Sequence, residues 1–475
     1  MSDKDTPIEY QFTNTKHQYL AAVIGNLMFC AHGSMMGWPG PALPILLSEN
    51  TPLKTGPLSN EQLSWIGSIS ALAAILGTFT FGFFTMFLGS KRTMLFLMLP
   101  TVIFWVLIYI GDSYYHVLIA RFSTGWTGGG VQTTVILYIS DIANDDIRGR
   151  LGSFSPLSRN TGVLIVYILG ATIPYKIVPC IFVFIPIIFG ILFFFLPNTP
   201  QYLLEKGQVL KAEKSLKFYK GYTGKSVDEV IAFSAEFERQ KVIAKKLKVD
   251  ERIMLKDIFN RHSMKGLLNG ITLAGLVHLS ASLVIVTYSV VIFQKVGVVH
   301  FDPYISSITI AVMQIMGTLC TTHLSDSMGR KILLIISLLG SACGLFAFSL
   351  YSYLKENGSD LSAFEWVPIA SLSFVIFIAS AGILPLFFVV TVENLPSKIR
   401  TVGLTICNIF LNLASFICLK LFPTLTVIIG LHGCMLIFGI ACILGSLYIL
   451  FVIKETKGIS MDAVQSKNHS TNNSC

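Results

Sequence analysis

Twelve apolar stretches set the terms on which this chain can fold. They run over about 18–38, 63–87, 93–111, 116–140, 153–173, 177–196, 266–294, 304–324, 331–353, 366–391, 402–421 and 430–453. Most reach the roughly 20 residues that a helix needs to cross a bilayer. Lipid offers no partner to a free backbone N–H or C=O, so such stretches cross as helices that bond their own peptide groups. The pattern predicts an all-α membrane protein with twelve transmembrane helices. The fourth stretch, which carries Arg121 and three consecutive glycines at 128–130, and the seventh are the weakest. A chain that is 53% hydrophobic and 13% charged, with mean hydropathy +0.68, is not an ordinary soluble enzyme.

The net charge of +9 would suit a nucleic-acid partner, but its placement argues for topology. With the N-terminus in the cytoplasm, thirteen Lys and Arg outside the long 197–265 segment fall on that side, and that segment adds fifteen. The exterior connections hold five, namely Lys54, Lys176, Lys295, Lys355 and Lys420. This is a positive-inside bias, so both termini are expected in the cytoplasm and no nucleic acid is implied. The polar start leads into the first stretch without a cleavage site, as an uncleaved signal anchor does. Eight of the nine cysteines lie in or beside apolar stretches and read as small buried hydrophobes rather than a disulfide set.

Two sequence echoes divide the chain. "SDIANDDIRGR" (140–150) returns as "VENLPSKIRTVG" (392–403), with Asp141 and Arg148 seven residues apart like Glu393 and Arg400. "GSKRTML" (89–95) returns as "GRKILLI" (329–335). Each echo sits between equivalent helices, which predicts two pseudo-symmetric six-helix halves in parallel orientation, the architecture of carriers with a midplane site. The expected organisation is a cytoplasmic N-terminus (1–17), an N-terminal bundle (18–196), a cytoplasmic linker (197–265), a C-terminal bundle (266–453) and a cytoplasmic tail (454–475). In the linker, Thr199, Pro200 and Gly207 mark the start and stop of a short helix. Val227, Val230, Ile231 and Phe237 recur at helical spacing and predict an amphipathic helix beneath the bundles.

Six motifs carry a family resemblance. They are "RFSTGWTGGG…LYISDIANDDIRGRLG", "LPNTPQYLLEKG", "LSDSMGRKILL", "ENLPSKIR", "KLFPTL…IGLHG" and "KETKGIS". In this order and at these helix ends, the chain resembles the sugar-porter branch of the major facilitator superfamily, and in particular insect trehalose and hexose carriers. The likeness runs from about residue 18 to 464 and implies the major facilitator fold. The chain departs from the family pattern at Met86 and Ser90, where an acid and an Arg are usual, and at Asn198 and Gln201, where Glu and Arg are usual.

Acid and Arg groups at neighbouring helix ends can pair when the inner mouth closes and part when it opens. Partly exposed pairs contribute about 0.5–1 kcal/mol each, so several together shift a two-state population roughly tenfold. The expected latch comprises Arg92, Asp141 and Arg148 in one half and Asp326, Arg330, Glu393 and Arg400 in the other. The plainer reading of the same charges is a topology signal on solvated helix ends. Arg121 lies inside an apolar stretch, where a guanidinium costs roughly 2.5–3.5 kcal/mol and marks function. The resemblance also places an Arg there.

A sugar needs a polar partner for each hydroxyl and an aromatic wall for its apolar face. The resemblance implies candidate contacts at Asn160, Tyr288, Gln314, Phe388 and Asn412; His32 and His278 are polar groups on the same path. Elsewhere this path is drier than usual, with Pro156, Val277 and Leu283 at positions where the family is polar. Gln314 and Asn412 also read as glue between helices, and either histidine as a packing residue. No Asp or Glu lies mid-span, which favours a uniporter over a proton symporter. The expected function is a facilitative hexose or trehalose carrier in the plasma membrane. It would work as a monomer in lipid, with no enzymatic step, cofactor or metal. The alternatives are a carrier of a less polar solute and a non-transporting sugar sensor. Asn357, in an exterior loop, is a candidate glycan acceptor, whereas Asn468 and Asn472 are expected to stay bare in the tail.

Overall fold

The computed structural model describes residues 15–224, 226–248, 255–298, 300–453 and 455. These residues form helices joined by short turns, with no strand among them. Twelve membrane-crossing helices can be followed in order. The N-terminal six are Lys16–Gly37 with Pro39–Leu47, Asn60–Leu88, Ser90–Ile110, Tyr114–Ile142, Asp145–Thr172, and Ile177–Phe182 with Phe184–Phe194. The C-terminal six are Arg261–Leu279 with Ser282–Val296, Pro303–Met328, Arg330–Glu356, Trp366–Ala381 with Ile383–Asn394, Arg400–Ile428, and Gly430–Val452. Ten segments are apolar enough to cross a membrane on composition alone. The other two are the fourth and fifth spans, 29 and 28 residues long, or roughly 42 Å at 1.5 Å per residue. The weak partner of the fourth span is therefore the fifth and not the seventh, because the fifth carries Arg148, Arg150, Arg159 and Asn160.

An even number of crossings puts both ends of the bundle on the face that also carries the linker. We call this the linker face and the opposite one the far face. Around the middle of the molecule runs a belt of exposed apolar side chains, among them Phe79, Phe83, Ile103, Ile119, Leu339 and Leu444, as lipid contact requires. The eight described cysteines are all free.

Lipid tails are as apolar as leucine, so helices inside a membrane associate through close packing rather than by escaping water. The glycine triplet supplies that packing around the fourth span. Successive residues of a helix point about 100° apart, so the three glycines open three directions. A side chain at Gly128 would strike His32 of the first span, at Gly129 the second-span backbone at Ala74, and at Gly130 Leu97 and Phe81. The triplet thus lets one helix take neighbours on three sides.

Four spans are broken, each for a legible reason. The first breaks at Trp38, where Pro39 and Pro41 remove N–H donors. The sixth breaks at Val183, between Pro179 and Pro186. In the seventh, Ala281 takes φ +62°, and Ser280 Oγ turns back to Val277 O at 2.7 Å. The tenth breaks at Gly382, and Ser337 of the ninth span mends the gap by donating to Ile378 O (2.8 Å) and accepting from Ile383 N (3.1 Å). Broken helices inside a membrane persist where neighbours satisfy the freed backbone groups in this way.

Between the halves lie four short helices, Pro200–Glu205, Val209–Lys220, Val227–Lys248 and Leu255–Ile258. Their core is Leu203, Leu204, Ala212, Leu216, Phe233, Phe237 and Ala244. The expected apolar face of the third is thus mostly wrong: Phe237 is buried, but Val227, Val230 and Ile231 are exposed. Phe233, Phe237 and Ala244, four and seven residues apart, set the buried stripe instead. Val209–Lys220 docks beneath the N-terminal half, where Tyr219 Oη meets Tyr138 Oη at 3.0 Å.

Candidate substrate cavity

A cavity of about 230 Å³ lies at mid-depth, where the two halves meet. Its described lining comes from the first, second, fourth and fifth spans on one side and the seventh, eighth, tenth and eleventh on the other. His32, Asn160, His278, Gln314, Phe388 and Asn412, anticipated from the sequence, all line it. Tyr288 does not. Its ring is buried against Phe422, and its hydroxyl donates to Leu419 O at 3.1 Å, while the preceding Thr287 faces the cavity.

Three lining side chains hold a buried polar atom without a partner in the protein: Asn160 Oδ1, His278 Nδ1 and Gln314 Oε1. Left empty, each costs about 1–3 kcal/mol, so each is disposed to bond an arriving hydroxyl. The amide of Asn160 donates to Thr318 Oγ1 at 2.8 Å and thereby bridges the fifth and eighth spans. Asn412 Nδ2 is committed to Asn408 O of its own helix at 2.8 Å. Phe388 packs edge-on against Phe387 at 4.8 Å and gives the C-terminal wall an aromatic surface. Val277, Leu283 and Val286 complete an apolar stripe on the seventh span.

Arg121 also lines the cavity and is 2% exposed. Its Nε donates to Ile66 O (2.9 Å), Nη1 to Met35 O (3.1 Å) and Nη2 to Ser70 Oγ (3.1 Å). One guanidinium therefore ties the first, second and fourth spans together through neutral acceptors. Sequence reasoning missed Arg159, which lines the fifth-span wall. The signal was available, because Arg159 is a second guanidinium inside an apolar stretch.

Beyond the cavity, on the far side, the halves are in contact. Tyr167 Oη of the fifth span bonds Val286 O of the seventh and accepts from Ser289 Oγ at 3.1 Å. Lys420 Nζ of the eleventh donates to Ser64 Oγ of the second at 2.8 Å and stands 4.0 Å above the Trp65 ring. Tyr288 Oη lies so close to Gly67 that any side chain there would overlap it.

The charges proposed as a latch sit at the linker face. Arg330 Nε lies 3.6 Å from Glu393 Oε1, within the C-terminal half. Asp141 stands beside Thr199 and Arg148, within the N-terminal half. Arg92 is exposed, and Arg400 Nε is buried without a partner. The side chain of Asp326 lies outside the described residues, as do Asn468 and Asn472. Asn357 is exposed in a far-face loop, with Nδ2 on Tyr353 O at 2.9 Å. Among the described residues no group of three possible metal ligands comes together.

A family described as "Sugar (and other) transporter" matches residues 13–467. The chain belongs to this family. The transporter is 29% identical over 472 residues to the facilitated trehalose transporter Tret1 of Bombyx mori, covering 98% of this chain and 90% of that one. It is 28% identical over 453 residues to the Tret1 of Polypedilum vanderplanki, covering 95% and 88%. Among solved structures, its fold is similar to the inward-open xylose transporter XylE from E. coli, at a TM-score of 0.75 and 18% identity over 94% of this chain and 98% of that one. The POT-family transporter PepTSo follows at a TM-score of 0.63 and 12% identity, over 91% and 97%. The transporter thus has the twelve-helix, two-half fold, and its family is one of carriers rather than enzymes.

Proposed function

We propose that this transporter carries a sugar across the membrane by alternating access, as a uniporter. The observation that supports it best is the midplane cavity with unpaired polar atoms on Asn160, His278 and Gln314 and the Phe388 ring. That arrangement matches hydroxyls on one face of a ring and apolar C–H groups on the other. Relatives named as trehalose carriers agree with it. The absence of any Asp or Glu from the described lining favours uniport, since a membrane-embedded carboxylate is the usual proton carrier.

In this reading, residues 18–196 and 266–453 are the moving halves and 197–265 is a cytoplasmic linker. Closing the inner mouth would bring Arg92, Asp141 and Arg148 towards Asp326, Arg330, Glu393 and Arg400. The protein sits in the plasma membrane as a monomer, with Asn357 outside. Purified protein in liposomes should take up radiolabelled glucose or trehalose saturably, with equal rates in acidic and neutral medium. Absence of sugar uptake and of counterflow would remove the reading. Loss of a glycan in the Asn357→Gln variant, seen as faster gel migration, checks the sidedness.

A further inference from the structure

The second positive charge in the cavity, that of Arg159, is a feature that neutral-sugar carriage does not explain. Of the 35 Lys and Arg, Arg121 and Arg159 stand in the middle of spans, and both line the cavity. Arg121 is bound to neutral acceptors. Arg159 is the fifteenth residue of a 28-residue helix, about 21 Å from its linker-face end. Among the described residues its guanidinium has neither a hydrogen bond nor an ion pair. His32 neighbours both arginines.

Among the described residues no carboxylate is hydrogen-bonded or ion-paired to Arg159. None lines the cavity among the described residues, and all 26 Asp and Glu lie outside the span middles. Asp141, Asp326 and Glu393 at the linker face and Glu61 at the far face each lie within two residues of a helix end. Rigid-body rocking of the halves leaves each acid at its own depth. A guanidinium does not shed its proton, so Arg159, half-buried in the cavity wall, presents a permanent positive charge to whatever enters. Such a charge, with no fixed partner, favours a solute that brings a negative group of its own.

We infer that the sugar this transporter carries bears an anionic group, a carboxylate or a phosphate, which binds the planar fork of Arg159. The fork matches either group through two parallel hydrogen bonds. Arg121 adds a fixed positive field on the same wall, and the unpaired atoms of Asn160, His278 and Gln314 remain for the hydroxyls. This deepens the carrier reading by naming the substrate class, and it rests on that reading only for transport. Binding tests it separately.

Purified full-length protein should be stabilised against heat by D-glucuronate or D-glucose 6-phosphate at concentrations about tenfold lower than by D-glucose; the two anions separate carboxylate from phosphate. Arg159→Gln should abolish that difference, and Arg159→Lys, which keeps the charge, should retain part of it. In liposomes, uptake of the anion should quicken when the interior is made positive, whereas a neutral sugar is indifferent to potential. Equal stabilisation by glucose, unchanged anion binding in Arg159→Gln, or equal binding of inorganic phosphate alone would overturn the inference. Saturable glucose flux that no anionic sugar inhibits would leave the carrier reading intact and sink this one. Arg159-dependent anion binding without flux would do the reverse.

Discussion

The turn between the second and third spans and the turn between the eighth and ninth are one piece of backbone used twice. Gly89 takes φ +79° and ψ 160°, and Gly329 takes φ +87° and ψ 158°, a region open only to glycine. Two residues on, each copy sends a lysine to the end of its half's last span, Lys91 Nζ to Phe194 O at 2.8 Å and Lys331 Nζ to Leu450 O at 2.7 Å. There the copies part. In the C-terminal half, Glu455 accepts from the N–H groups of Arg330 and Lys331, both at 3.0 Å. Its carboxylate caps the positive end of the ninth span. In the N-terminal half the same register, "PNTP" against "KETK", holds Asn198, and the Tyr202 ring lies against Gly89 instead.

The N-terminal half makes up for this with buried hydrogen bonds to the docked linker. Gln18 Nε2 donates to Asn144 Oδ1 (3.0 Å) and Tyr219 O (3.1 Å), and its Oε1 accepts from Asn144 N (2.8 Å). Lys220 Nζ also donates to Asn144 Oδ1, at 2.6 Å. All these groups are buried. One half is therefore closed at its linker end by a half-buried charged cap and the other by a fully buried polar hub. The charged device is open to screening by salt, whereas the buried one is shielded.

The hub carries the larger expected effect. Asn144→Ala removes the acceptor shared by Gln18 and Lys220 and leaves both in a buried setting, a loss of about 2–3 kcal/mol. Chemical unfolding of the purified protein measures it. A double-mutant cycle with Gln18→Ala should return a coupling of about 1–2 kcal/mol, and independence of the two changes would dissolve the hub. Next comes Glu455→Gln, which weakens two backbone bonds and the cap on the ninth span, for a loss of about 1–2 kcal/mol. Raising salt should shrink this loss and leave that of Asn144→Ala unchanged. Equal salt dependence would mean that the two ends do not differ as described.

This contrast also marks what could be read from the chain. The spans were legible because lipid forces apolar length, and the duplicated turns because glycine and a basic pair recur at one place. The offset of 252 residues that carries Asp141 onto Glu393 also carries Gly130 onto Gly382. Yet the fourth span runs through Gly130 while the tenth breaks at Gly382, an outcome decided by Ser337 on a neighbouring helix. The break at Ala281 lies in "HLSASL", which has no Gly or Pro to announce it. Family likeness pointed to Asn160, Gln314 and Phe388, which line the cavity, and to Tyr288, which sits one residue from a wall position; His278 stood out as a polar group where the family pattern fails. The hub escaped notice because Gln18, Asn144 and Lys220 are far apart in sequence and individually ordinary.

The smallest expected effect is the sharpest check on the comparison. Asn198→Glu should place a carboxylate at the start of the third span, copying what Glu455 does for the ninth. Helix-end charge and two backbone bonds at a partly exposed site give about 0.5–1 kcal/mol. The gain should appear in low salt and fade in high salt, because the added device is the screened kind. It should also survive in the Glu455→Gln background, since the two turns lie in different halves. A gain that vanishes there would mean the turns are coupled across the molecule, and no gain at all would mean that Tyr202, resting on Gly89, already fills the place the carboxylate needs.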